Sequence, residues 1–155
     1  MPSLDRLPQI NRTALLTRPV EVHHDTPFAP LAVPLSEARL AIVTTAGLHL
    51  KGDRPFTAED GSFRVIPSSA GEAELVQSHT SIGFERASQA RDINVVFPID
   101  RLRELVERGA LGAVAANHYS LLGAQQDSTR PAAVSGTELA KRLLGEADVV
   151  LLTPT

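Results

Sequence analysis

ARLAIVTTA, residues 38–46, followed at once by Gly47, is the stretch on which the fold turns. It is apolar at successive positions and rich in β-branched residues. It does not alternate between apolar and polar, as a strand with one wet face would. A short continuous run of this kind is the pattern of a strand buried on both faces, and such strands need covering layers on each side. Outward from it, four more runs of the same type follow: SFRVI (62–66) stopped by Pro67, INVVF (93–97) before Pro98, GAVAA (112–116) and ADVVLL (147–152).

Helical signals fall between these runs. Ser69 with Glu72 forms a capping-box spacing that predicts a short helix through Ala73, Leu75 and Val76. Asp100 is placed to cap a second, with Leu102, Leu105 and Val106 at helical spacing and Gly109 as its stop. Ser135 with Glu138 opens a third, with Leu139, Leu143 and Leu144 inward and Gly145 at its end. Strands separated by helices predict an α/β domain: three layers, a mostly parallel sheet of about five strands and helices on both faces, Rossmann-like or flavodoxin-like. This domain is expected to span 36–155. Six of the 11 prolines precede Ser36, so residues 1–35 are expected to form a Pro-rich extended arm.

Composition excludes several classes of function. With 43% hydrophobic and 21% charged residues, 155 residues can bury one core. A formal charge of -3 provides no electrostatic footprint for nucleic acid. No segment reaches the roughly 20 apolar residues of a membrane span, and the N-terminus is broken by prolines and arginines, so the expected location is cytoplasmic. There is no cysteine, hence no disulfide, thiolate metal site or thiol nucleophile within these residues.

In an open α/β sheet ligands bind beyond the carboxyl ends of the strands, so residues just after each run are the candidates. His49 and His118 directly follow apolar runs, and His79 lies just past the first predicted helix. Imidazole serves as acid, base or donor near neutral pH, which makes these three the catalytic candidates. A three-histidine metal centre matches in ligand type, but no His-x-x-x-His spacing supports it, and no metal is expected. Dinucleotide, phosphate-loop and serine-hydrolase motifs are absent.

TTAGLHLKGDRPF (44–56), SFRVIPSSA (62–70), SHTSIGFERASQARDINVVFPIDRLRELVERGALG (78–112) and AANHYSLLGA (115–124) together resemble the selenoprotein B family of glycine, sarcosine, betaine and D-proline reductases. VIPSS, D-x-N-x-x-FP-x-DRL and NH-x-S-x-x-G occur in that order, and the resemblance runs from about Pro27 to the last residue. It implies reductive C–N cleavage alpha to a carboxylate, on a small amino-acid or betaine-like substrate. A partner subunit carries a pyruvoyl group. The nucleophile is a selenocysteine, or a cysteine, placed directly after a stretch like VVLLTPT, and so expected after Thr155. Selenocysteine is encoded by UGA, so the chain is expected to be the N-terminal part of a longer subunit, inactive alone.

By the same resemblance His49, His79, Asp92, Asn94, Asp100, Arg101, His118 and Ser120 stand in matching motifs. His49, His118 and His79 are read as catalytic, and Asn94, Asp100, Arg101 and Ser120 as substrate-binding. Thr153, Pro154 and Thr155 form the loop before the nucleophile. An apolar sheet surface left uncovered near Leu152 leads us to expect a homo-oligomer. The alternatives are a non-catalytic binding or regulatory domain complete at this length, and a metal-dependent lyase or hydrolase built on the histidines.

Overall fold

The computed structural model describes residues 4–17, 22, 24–25, 28–81, 84, 86–123, 125, 129 and 135–154. They fall into two compact units, Met1–Pro30 and Leu31–Thr155.

The first unit is not wholly extended. A 3-10 turn at Leu4–Arg6 precedes helix α1, Gln9–Thr17. The prolines explain where the helix lies: residues 9–17 contain none, and Pro8 stands at its entry, where its missing N–H costs nothing and its carbonyl accepts from Asn11 and Arg12. No residue of α1 is buried.

The second unit is mixed α/β. Its strands are β1 (Arg39–Thr44), β2 (Leu48–Leu50), β3 (Arg64–Pro67), β4 (Leu75–Gln77), β5 (Ala113–Val114), β6 (Asn117–Ser120) and β7 (Val149–Thr153). Helices α2 (Ala87–Arg91), α3 (Ile99–Glu107) and α4 (Thr137–Glu146) accompany them. The ARLAIVTTA run does form the central strand, and its buried positions run from Leu40 to Thr44 without a break. One edge of β1 takes β7 in parallel, Leu40 to Thr44 opposite Val149 to Thr153. The other takes β5 and then β6, also parallel, with Leu40 opposite Val114 and Thr44 opposite Ser120. β3 adds antiparallel to β6, so this five-stranded sheet is mixed. β2 and β4 form a separate antiparallel pair.

Side chains on the two faces of β1 enter different clusters. Leu40 and Ile42 pack with Ile93, Phe97, Ile99 and Leu102 beside α3, whereas Val43 packs with Tyr119 and with Leu139 of α4. Gly112 allows the chain to pass against Glu37 on its way into β5. A Cβ there would lie 2.3 Å from the Glu37 carbonyl carbon, so only glycine fits this crossing.

Several sequence expectations for the second unit are corrected. Asp100 does not cap α3: Pro98 holds the cap position, and Asp100 lies within the first turn with its N–H donated to Asn94 Oδ1. INVVF is not a strand: Ile93–Val95 is a 3-10 turn, because Asp92 accepts the Asn94 N–H and curls the chain. The helix expected after Ser69 shrinks to a 3-10 turn, Glu72–Glu74, in which the Glu74 carboxylate accepts from the Gly71 N–H. Leu75 and Val76 then join β4, where pairing with β2 outweighs the local signal. Ser135 does not cap α4 but donates its hydroxyl to the Gly61 carbonyl, and Leu144 lies 84% exposed rather than inward. β2, β4, β6 and α2 are too short to show a period in the sequence.

Candidate functional site

The carboxyl ends of β1 and β7 are tied together by hydroxyls. Thr44 Oγ1 donates to the Val96 carbonyl at 3.0 Å and accepts the Ala46 N–H at 3.2 Å. Thr153 Oγ1 donates to the same carbonyl at 2.9 Å, and the Thr153 carbonyl accepts from the Thr45 N–H. Val96 thus gathers two strand ends on one oxygen. The backbone that leaves β7 is held at the end of the sheet where α/β ligands bind. Pro154 follows, exposed, and Thr155 lies outside the described residues. Thr44 stood among the polar residues expected at the end of the first strand, whereas the Val96 carbonyl was not marked by the sequence, because a carbonyl has no residue-type signature.

The three histidines do different things. His49 sits within β2, 2% exposed, with Nδ1 2.7 Å from the Leu50 carbonyl and Nε2 2.6 Å from Ser78 Oγ. A carbonyl only accepts, so Nδ1 carries the proton and Nε2 accepts from the Ser78 hydroxyl. Ser78 had no sequence signal beyond being polar. Both ring nitrogens of His49 are thereby spent on the protein.

His118, fully buried in β6, accepts the Ile42 N–H on Nδ1 at 3.0 Å. The cause lies in the register. Arg39 opposes Ala113 but Val43 opposes Tyr119, so the strand beside β1 carries two extra residues between β5 and β6. At that bulge the Ile42 N–H faces no ladder carbonyl, and the imidazole takes its place. Nε2 must then carry the proton, and it is buried with no partner among the described residues. Burial, and secondarily the positive charge of Arg103, push the His118 pKa down to about 4, so the ring is neutral.

His79 repeats this state. Its Nδ1 accepts from the Ser81 N–H at 3.2 Å, its ring stacks on Phe84, and its buried Nε2 has no partner among the described residues. Burial first and then Arg86 lower its pKa. Gly47, at φ +66°, lets β1 turn into β2 beside the His79 backbone. The three rings therefore have separate partners, and no group of three or more His, Cys, Asp or Glu is placed to hold a metal ion among the described residues.

The residues of D-x-N-x-x-FP-x-DRL build a joint. Asn94 Nδ2 donates to Asp92 Oδ1 at 2.8 Å and to Asp100 Oδ2 at 3.0 Å, while its Oδ1 accepts the Asp100 N–H. Hydrogen bonds from Asn94 are the main reason both carboxyls titrate below the ordinary range. Arg103 Nη1 pairs with Asp100 at 2.8 Å, and its Nη2 reaches the Ser68 carbonyl, tying α3 to the end of β3. Arg101 forms an exposed pair with Glu104. Ser120, fully buried, accepts the Leu48 N–H at 2.8 Å and so anchors β2 to β6. Asn94, Asp100 and Ser120 thus all hold backbone in place.

The model of the glycine/sarcosine/betaine reductase selenoprotein B family matches residues 17–155. The chain belongs to that family. Among its relatives, D-proline reductase subunit gamma of Acetoanaerobium sticklandii is 37% identical over 128 residues, covering 81% of the chain and 52% of the relative. Sarcosine reductase complex component B subunit beta of Peptoclostridium acidaminophilum is 28% identical, and glycine reductase complex component B subunit gamma of Carboxydothermus hydrogenoformans 29%; each is covered over 32% of its length. The chain therefore spans about half the length of the first and about a third of the other two. No solved structure gives a significant match. No helix among the described residues is long and apolar enough to cross a membrane.

Proposed function

We infer that this chain forms the scaffold of a selenoprotein B-type reductase subunit, with the substrate seated beyond the carboxyl ends of β1, β6 and β7. Family membership supports the reaction class, reductive C–N cleavage of a small amino-acid or betaine-like molecule. One observation carries the placement: Thr44 and Thr153 share the Val96 carbonyl, which presents the backbone after β7 at the sheet end. In this reading the sheet is the doubly wound three-layer type, and the pyruvoyl group belongs to a partner subunit.

The chain itself holds no cysteine. When present, the family's selenocysteine or cysteine supplies the electron pair that displaces the amine from the alpha carbon. A rigid strand end fits that group, because a nucleophile gains most from a fixed approach. The leaving amine needs a donated hydrogen bond or proton. His79 and His118 suit this role better than His49, since each keeps an Nε2–H that no described residue accepts. Asn94, Asp100 and Ser120 act as positioning residues through the backbone they hold, and Arg101, exposed on α3, is the candidate for the substrate carboxylate. Without the nucleophile the 155 residues are expected to bind substrate but not to reduce it.

NMR titration with glycine, sarcosine, betaine and D-proline tests this reading. Saturable shifts at Thr44 to Gly47 and at Thr153, with no product in the presence of dithiothreitol, are expected. Shifts confined to other surfaces, no shifts with any of the four, or turnover by the chain alone overturn it.

A further inference from the structure

β7 is built like an inner strand but stands at an edge. Val149–Thr153 carries no charge and no proline, the residues that protect an unpaired edge, and among the described residues β7 pairs with β1 alone. Its two faces differ. Val149 and Leu151 pack into the cluster beside α3, whereas Val150 and Leu152 are exposed. Leu152 stands opposite Val43, which packs against Leu139 of α4, so the exposed pair lies on the α4 face.

Topology says what belongs there. From β1 through α3 to β5 the chain crosses the sheet one way, and from β6 through α4 to β7 it crosses back. Parallel connections share one hand, so opposite directions place their helices on opposite faces, where α3 and α4 are found. A further parallel unit beyond β7 continues in the second direction. Its helix must fall on the α4 face, over Val150 and Leu152, and its strand on the free edge. The relatives hold material for such a unit: the match covers 52% of D-proline reductase subunit gamma, so about half of that protein lies outside it.

We propose that the free edge and the α4 face of β7 are the docking surface for the other half of a selenoprotein B-type subunit. That half adds a parallel strand to β7 and lays the apolar side of a helix over Val150 and Leu152. The inference rests on family membership, and it is independent of the strand-end substrate reading.

The test co-expresses the tagged 155-residue chain with the half of D-proline reductase subunit gamma outside the match, any selenocysteine replaced by serine. A one-to-one complex is expected. The N–H groups of Val150 and Leu152 alternate along β7 with Thr153, whose carbonyl faces β1, so they point to the free edge and should exchange with solvent at least about tenfold more slowly in the complex. Val150→Lys with Leu152→Lys should weaken the complex about a hundredfold, because two charges would be buried without partners. Glu107→Ala, exposed on α3 at the opposite face, should not. If the added half is insoluble, the two are joined in one chain in the relative's order, and the same two N–H groups decide. Absence of a soluble complex together with unchanged exchange in the joined chain overturns the proposal. So does a complex that tolerates the lysine pair, or self-association of the 155-residue chain that survives saturation with the added half, since a second copy would then own the surface.

Discussion

His118 does at one residue what a strand carbonyl does elsewhere in the sheet: it accepts the Ile42 N–H across a two-residue bulge. Replacing it with leucine strands that donor in the core and is expected to cost about 2 kcal/mol in urea unfolding. The same bond makes stability depend on acid. Folding lowers the His118 pKa from 6.5 to about 4, so between those values the unfolded chain binds the proton and the folded chain does not. The contribution is complete above pH 6.5 and is lost as pH falls through 4, a change of about 3 kcal/mol. His79 shifts in the same direction and adds to the slope. Urea midpoints measured from pH 7 to pH 4 should fall less steeply in His118→Leu than in the parent chain. Parallel curves would remove His118 as the cause.

At the scale of elements, the joint between the 3-10 turn Ile93–Val95 and α3 depends on Asn94, which bonds both Asp92 and Asp100. Asn94→Ala is expected to destabilise by about 1–2 kcal/mol. Asn94→Asp should be worse above pH 5, because it places a third carboxylate between two that already titrate low, and its deficit should shrink as they are protonated. The entry to β5 has a steric test. Gly112→Ala drives a Cβ into the Glu37 backbone, which cannot rotate away as a side chain can, and a loss of about 3 kcal/mol in thermal or urea unfolding is expected. Gly52→Ala, with open space around its Cβ position, is the control that should change little.

In the second unit, apolar side chains at the end of the described residues remain uncovered. On β7 Val150 is 37% and Leu152 68% exposed, and Leu144 of α4 is 84% exposed. β7 is bonded along one edge only among the described residues, and an edge strand with exposed apolar side chains favours association. Sedimentation velocity is expected to show concentration-dependent self-association that the pair Val150→Lys and Leu152→Lys suppresses. A monodisperse monomer at high concentration in the parent chain would contradict this.

Much of the layout was legible in the residues, and the limits follow from range. Continuous apolar runs located β1, β3, β5 and β7, and the spacing of Leu102, Leu105 and Val106 located α3, because these patterns repeat over enough residues to be read. The ordered motifs VIPSS, D-x-N-x-x-FP-x-DRL and NH-x-S-x-x-G sufficed for the family. Where a three-residue segment pairs is decided by a partner far along the chain, so β2 against β4 had no local mark. The same holds for the candidate site. Sequence supplied the histidines, and tertiary structure separated them: His49 is saturated by Leu50 and Ser78, while the Nε2–H of His79 and of His118 has no partner among the described residues. A side chain's chemistry is written in its residue type, but its free valences depend on which distant backbone groups need a partner, and only the packed chain decides that.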